Sequence, residues 1–120
     1  PMGELGDEVK EEEKINNILD LRFPIKIAGE EVKQLQFDFN SLTAKDLHKT
    51  SKYLKDIGIP VTYEALDFDY QLVLFSKAVK KCMKDVELAD LMRLNASDAS
   101  KAAGLARDFL LDKDSESEDM

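Results

Sequence analysis

Leu19, Leu21, Phe23, Ile25 and Ile27 alternate with Asp20, Arg22, Pro24 and Lys26. A period of two makes one face apolar and the other polar, the pattern of a half-buried β-strand. A helix does not fit it, because neighbours on one helical face lie three or four residues apart. The apolar series resumes at Leu35, Phe37 and Phe39 beyond Ala28-Gly29-Glu30, so the chain turns back as a hairpin. A two-residue turn at Gly29-Glu30 pairs Ile25 with Gln34 and Phe23 with Gln36, sending the second strand's apolar residues to the wrong face. A three-residue loop, Ala28-Gly29-Glu30, instead pairs Phe23 with Leu35, Leu21 with Phe37 and Leu19 with Phe39. Val32 is then out of phase, which predicts a bulge near Glu31-Val32. Pro24 has no N–H for a ladder and belongs on an edge. Two strands alone are marginal, so helices must cover the apolar face.

The first of those helices is announced by Thr43-Ala44-Lys45-Asp46, a capping-box pattern with Asp in the Glu/Gln place, flanked by Leu42 and Leu47. It runs to about Ile57 and stops at Gly58, with Pro60 two residues beyond. Leu47 and Leu54 mark its buried stripe. Pro60 to Leu66 reads as a connector with one helical turn from Thr62. Asp67 or Asp69 then caps the main helix, Phe68 to Asp85, where Phe68, Leu72, Phe75, Val79, Cys82 and Val86 follow helical spacing. Val73, Leu74, Ala78 and Met83 widen that face, which makes this helix central and makes Cys82 a small core residue. Lys77, Lys80, Lys81 and Lys84 complement its C-terminal dipole. Glu87 to Leu94 predicts a short helix exposing Leu88, Leu91, Met92 and Leu94. An alanine-rich last helix follows, with Phe109, Leu110 and Leu111 at its end.

The expected fold is therefore α+β and mostly α. A hairpin at about 19–39 packs on helices at about 43–57, 68–85, 87–94 and 96–111. At 120 residues the chain supports one core. Net charge is −8, with −4 in residues 1–14 and −4 in 112–120, so both read as acidic disordered tails around one neutral domain, 15–111. An acidic chain without a basic, aromatic-interleaved stripe repels phosphate backbones, which argues against nucleic acid as a partner. No apolar run approaches the ~18 residues of a membrane span. The single cysteine, Cys82, cannot form an internal disulfide and suits a reducing, cytoplasmic setting.

Catalytic, cofactor and metal patterns are missing from the sequence. The five glycines are scattered and open no phosphate loop. His48 has no second His or Cys at ligand spacing, and Asp67-Phe68-Asp69 is explained by a helix start. The reading is non-enzymatic, with no cofactor and no metal.

The segment Leu21-Arg22-Phe23-Pro24-Ile25-Lys26-Ile27-Ala28-Gly29-Glu30-Glu31-Val32, with Leu35-Gln36-Phe37-Asp38-Phe39 and Leu42-Thr43-Ala44-Lys45-Asp46-Leu47, resembles tail assembly chaperones of long-tailed bacteriophages. Leu94-Asn95-Ala96-Ser97-Asp98 before the C-terminal helix is similar too, and the likeness spans residues 19–111. The resemblance implies a non-catalytic chaperone that self-associates, binds the long tape measure protein and keeps it soluble, and helps recruit tail tube protein. It implies a place in the bacterial host cytoplasm and absence from the mature virion. The family has no fixed contact motif to carry over. Leu91, Met92, Phe109, Leu110 and Leu111 are the partner-binding candidates on apolar character alone. The alternative is another small phage or bacterial interaction module, such as a head–tail adaptor or an inhibitor.

Overall fold

A computed structural model describes residues 17–111. The acidic segments 1–14 and 112–120, read above as disordered tails, fall outside the described residues apart from the domain they flank. The fold is α+β and mostly α. Strands β1 (Ile18–Ile27) and β2 (Glu30–Gln36) form an antiparallel hairpin, followed by a 3-10 turn at Phe39–Ser41. Then come α1 (Ala44–Asp56), a 3-10 turn at Glu64–Leu66, α2 (Phe68–Cys82), the single turn α3 (Leu88–Leu91) and α4 (Ala96–Leu111).

The hairpin exists as expected, but its register differs. Ile27 pairs with Glu30, so the turn is the two residues Ala28-Gly29, at φ of 53° and 83°. Two successive left-handed residues make a turn whose twist matches the strands, and this outweighs the cost of placing Ala28 there. The bulge lies on β1 and not at Glu31-Val32. Asp20 pairs with Gln34 and Ile25 with Val32, so Leu21, Arg22, Phe23 and Pro24 stand opposite Lys33 alone. Moving the extra residues onto β1 puts Leu19 opposite Leu35 and brings Val32 into phase with Ile25. Pro24 sits inside the bulge, where a missing N–H costs no ladder bond. Leu19, Leu21, Ile27, Leu35 and Phe37 are buried, while Phe23 is thrown outward, with the Arg22 guanidinium 5.7 Å from its ring centre.

The capping pattern forms the start of α1. Asp46 accepts from the Thr43 N–H at 2.8 Å and the Thr43 hydroxyl at 3.3 Å. The Thr43 N–H, with Lys81 3.5 Å away, holds the Asp46 carboxyl below the usual range. Gly58, at φ 82°, ends the helix, and the Ile59 N–H reaches back to the Leu54 carbonyl at 2.9 Å.

Helix α2 starts on the Asp67 carboxylate, which accepts from the Tyr70 N–H at 2.8 Å. It is the central element: every residue from Tyr70 to Ser76 is buried. On one side Phe75, Ala78 and Val79 meet the hairpin and α4; on the other Tyr70, Val73 and Leu74 meet Leu54 of α1. The helix ends at Cys82, not Asp85, because Met83 leaves helical geometry (φ −128°, ψ 89°). That exit takes Cys82 out of the core: it is exposed, and Met83 packs inward instead, its sulfur accepting from the Gln36 N–H at 3.3 Å. Small residues Ala99, Ala102, Ala103 and Ala106 let α4 approach closely. Phe37, Phe39, Phe75 and Phe109 join hairpin, α2 and α4 in one aromatic cluster, with Phe39 stacked on Phe109 at 4.9 Å.

Candidate partner-binding surface

The five residues picked on apolar character separate once packing is known. Leu91 is fully buried, one face of α3 being pressed against the hairpin and α2. It is a core residue, which corrects the expectation of exposure. Phe109 is half-buried because it stacks on Phe39, and Leu110 is half-buried against the cluster between α1 and α2. Met92 is 60% exposed and Leu111 37% exposed. Leu88 is half-buried and Leu94 buried, so Met92 is the one large apolar side chain of the Glu87–Leu94 stretch that faces solvent.

A different group is more open. Ile57, Tyr63, Leu66 and Phe68 are between 48% and 69% exposed, and all four lie in the stretch between the end of α1 and the first turn of α2. Tyr53, on the last turns of α1, is 42% exposed. The connector that carries them is pinned in place. The Leu66 N–H donates to Tyr63 O at 3.1 Å and the Asp67 N–H to Glu64 O at 3.3 Å, closing the 3-10 turn. The buried Gln71 amide donates to the Ala65 carbonyl at 2.5 Å, tying the turn to α2. The turn also rests on α4. Ile59 and Val61 point inward against Leu54. Their neighbours in the connector therefore point outward by geometry, held by hydrogen bonds and not by loose chain.

Beside this connector an open groove of about 500 Å³ is lined by Ser51, Lys55, Gly58, Ile59, Pro60, Val61 and Glu64. It holds one lysine, Lys55, one carboxylate, Glu64, and one hydroxyl, Ser51. His48 lines a second groove with Ser51, Lys52, Lys55 and Asp56 on the outer face of α1. Cys82 does not belong to it. Partial burial, with the Asp38 carboxylate nearby, pushes the Cys82 thiol up, away from the thiolate a nucleophile needs. Among the described residues no three His, Cys, Asp or Glu side chains are grouped to hold a metal, and no helix is long and apolar enough to cross a membrane.

One polar contact ties the molecule together at long range. Asp98, in the first turn of α4, is fully buried. Its two oxygens accept from the backbone N–H groups of Arg22 and Phe23, each at 3.0 Å. The bulge that frees those N–H groups and the carboxylate that receives them explain each other. Asp98 belongs to the Leu94–Asp98 segment singled out above, and the bulge lies in the hairpin segment; the two stretches meet in space. No family model, curated protein or solved structure matches the chain.

Proposed function

We propose that the chain is a non-catalytic tail assembly chaperone of a long-tailed bacteriophage. It holds the tape measure protein soluble in the host cytoplasm, helps recruit tail tube protein, and is left out of the mature virion. The resemblance over residues 19–111 supplies the identity. The observation that carries the binding role is the outward display of Ile57, Tyr63, Leu66 and Phe68 along the connector that holds the hydrogen-bonded turn Glu64–Leu66. Several exposed large apolar groups on one short connector of a small folded protein favour a contact surface, and an apolar stripe on a long helix is the kind of surface that covers them. Met92 and Leu111 add apolar contact area elsewhere on the same molecule.

The test is co-expression with the long coiled-coil protein encoded beside it, followed by light scattering on the soluble fraction. Several copies bound per long chain, with the partner insoluble alone, is the expected result. A Leu66→Asp, Phe68→Asp double substitution should then return the partner to the pellet while leaving this chain folded. No association, or a small closed ring indifferent to the partner, refutes the reading and favours a head–tail adaptor.

A further inference from the structure

A cavity of about 220 Å³ lies between α1, α2 and the entry to α3, and none of Tyr63, Leu66 and Phe68 lines it. Its apolar lining draws on both halves of the core: Val86 belongs to the cluster under the hairpin, Val73 and Leu88 to the cluster against α1. The exposed ring of Tyr53 adds an aromatic side from α1. A dry cavity of about 150 Å³ is enough to hold benzene. This one has room for such a ring and a short polar head.

The polar lining narrows that head to a single anion. The last two turns of α2 carry Lys77, Lys80 and Lys81. Lys81 pairs with Asp46 of α1 at 3.5 Å, and Lys80 pairs with Glu87, which also lines the cavity. Lys77 is half-buried where the other two are exposed. Among the described residues its ammonium nonetheless makes no ion pair and no hydrogen bond to another side chain. Its neighbours one turn away on α2 are Val73, Leu74, Lys80 and Lys81, so its own helix supplies no carboxylate. The Ser76 hydroxyl is already spent, donating to the Val73 carbonyl at 2.6 Å. Lys77 and Lys80 against Glu87 leave the lining with one positive charge in excess. A cation partly removed from water without an acceptor is costly, and a carboxylate held beside it offsets that cost.

We infer that this cavity binds a small monocarboxylate with a compact ring, the ring against Val73, Val86, Leu88 and Tyr53 and the carboxylate on the Lys77 ammonium. A neutral ring of the same shape leaves Lys77 unanswered and binds less well. The site stands whether or not the chain is a tail assembly chaperone.

The test is a two-dimensional amide NMR titration of the full chain with phenylacetate, at neutral pH and constant ionic strength. The amides of Val73, Ser76, Lys77, Val86 and Leu88 should shift together and saturate, with a Kd on the order of 1 mM for a ligand of this size. Phenylacetamide keeps the ring and loses the charge, and should bind about tenfold more weakly. Lys77→Gln should weaken phenylacetate by about the same factor and leave phenylacetamide unchanged, so that the two become equal. A lysine that only covers Val73 with its stem predicts equal binding of acid and amide to the wild type, and that result overturns the inference. Shifts that do not saturate, or that acetate reproduces at the same concentration, also overturn it. So do shifts centred on Tyr63, Leu66 and Phe68, because the ring then sits on the connector.

Discussion

Replacing Asp98 should loosen the hairpin from the helices more than any surface change. The carboxylate is fully buried, and it receives two backbone N–H groups at 3.0 Å from a segment more than seventy positions earlier. Hydrogen bonds to a charged group contribute about 1.5–3 kcal/mol each. Arg22 and Phe23 are themselves exposed, so water can reach part of what Asp98→Ala vacates. The net loss should be about 2–4 kcal/mol, a large share of the ~5–15 kcal/mol that holds a domain folded. Asp98→Asn sharpens the argument. Its oxygen accepts from one N–H, but its NH₂ then faces the other donor, so it should recover less than half of the alanine loss. Urea unfolding of the wild type and both variants measures the difference. Hydrogen exchange at the Arg22 and Phe23 amides localises it: both should exchange faster in either variant while the α2 amides keep their order of protection. A loss below about 0.5 kcal/mol for Asp98→Ala, the range of an ordinary surface change, would refute the reasoning.

Three further outcomes follow from the backbone and its charges. Ala28→Gly should stabilise by about 1 kcal/mol, because φ of 53° is costly for alanine and free for glycine, and urea midpoints would show it. Gly104→Ala should stabilise by about 0.5–1 kcal/mol in the same assay, since an added Cβ meets only the end of Arg107 at 3.9 Å within a helix. Asp46 titrates below its ordinary value of 3.8, so its contribution is full above that value and is lost as pH falls through the lower folded value. The stability gap between wild type and Asp46→Asn, measured by thermal unfolding, should therefore be open at neutral pH and close in strong acid.

The elements that local chemistry dictates were legible from residues alone. Period-two alternation gave the hairpin, Thr43 and Asp46 gave the start of α1, and Gly58 gave its end. The register was not legible, for a physical reason. It depends on where the surplus residues bulge, and the acceptor that makes the β1 bulge favourable, Asp98, is distant in sequence. The end of α2 failed similarly: helical spacing continues to Val86, but Met83 is drawn inward by the Gln36 N–H and breaks the helix first. Cys82 was assigned to the core on that extended periodicity and lost its cover with it.

The partner surface was hidden by the same logic in reverse. Periodicity identifies apolar residues that repeat on a helix face, and such residues are the ones packing claims, as it claims Leu91 and half-covers Phe109 and Leu110. Tyr63, Leu66 and Phe68 sit where no period runs, between Pro60 and the second turn of α2. A signal was present nonetheless. Pro60 and the caps at Gly58 and Asp67 limit that stretch to a short connector, and a short connector over a filled core cannot bury every apolar side chain it carries. Ile59 and Val61 take the inward places, and Tyr63 and Leu66 are left outside. Apolar residues in excess of what a pinned connector can bury are thus a better guide to a contact surface on this chain than apolar residues at a helix end.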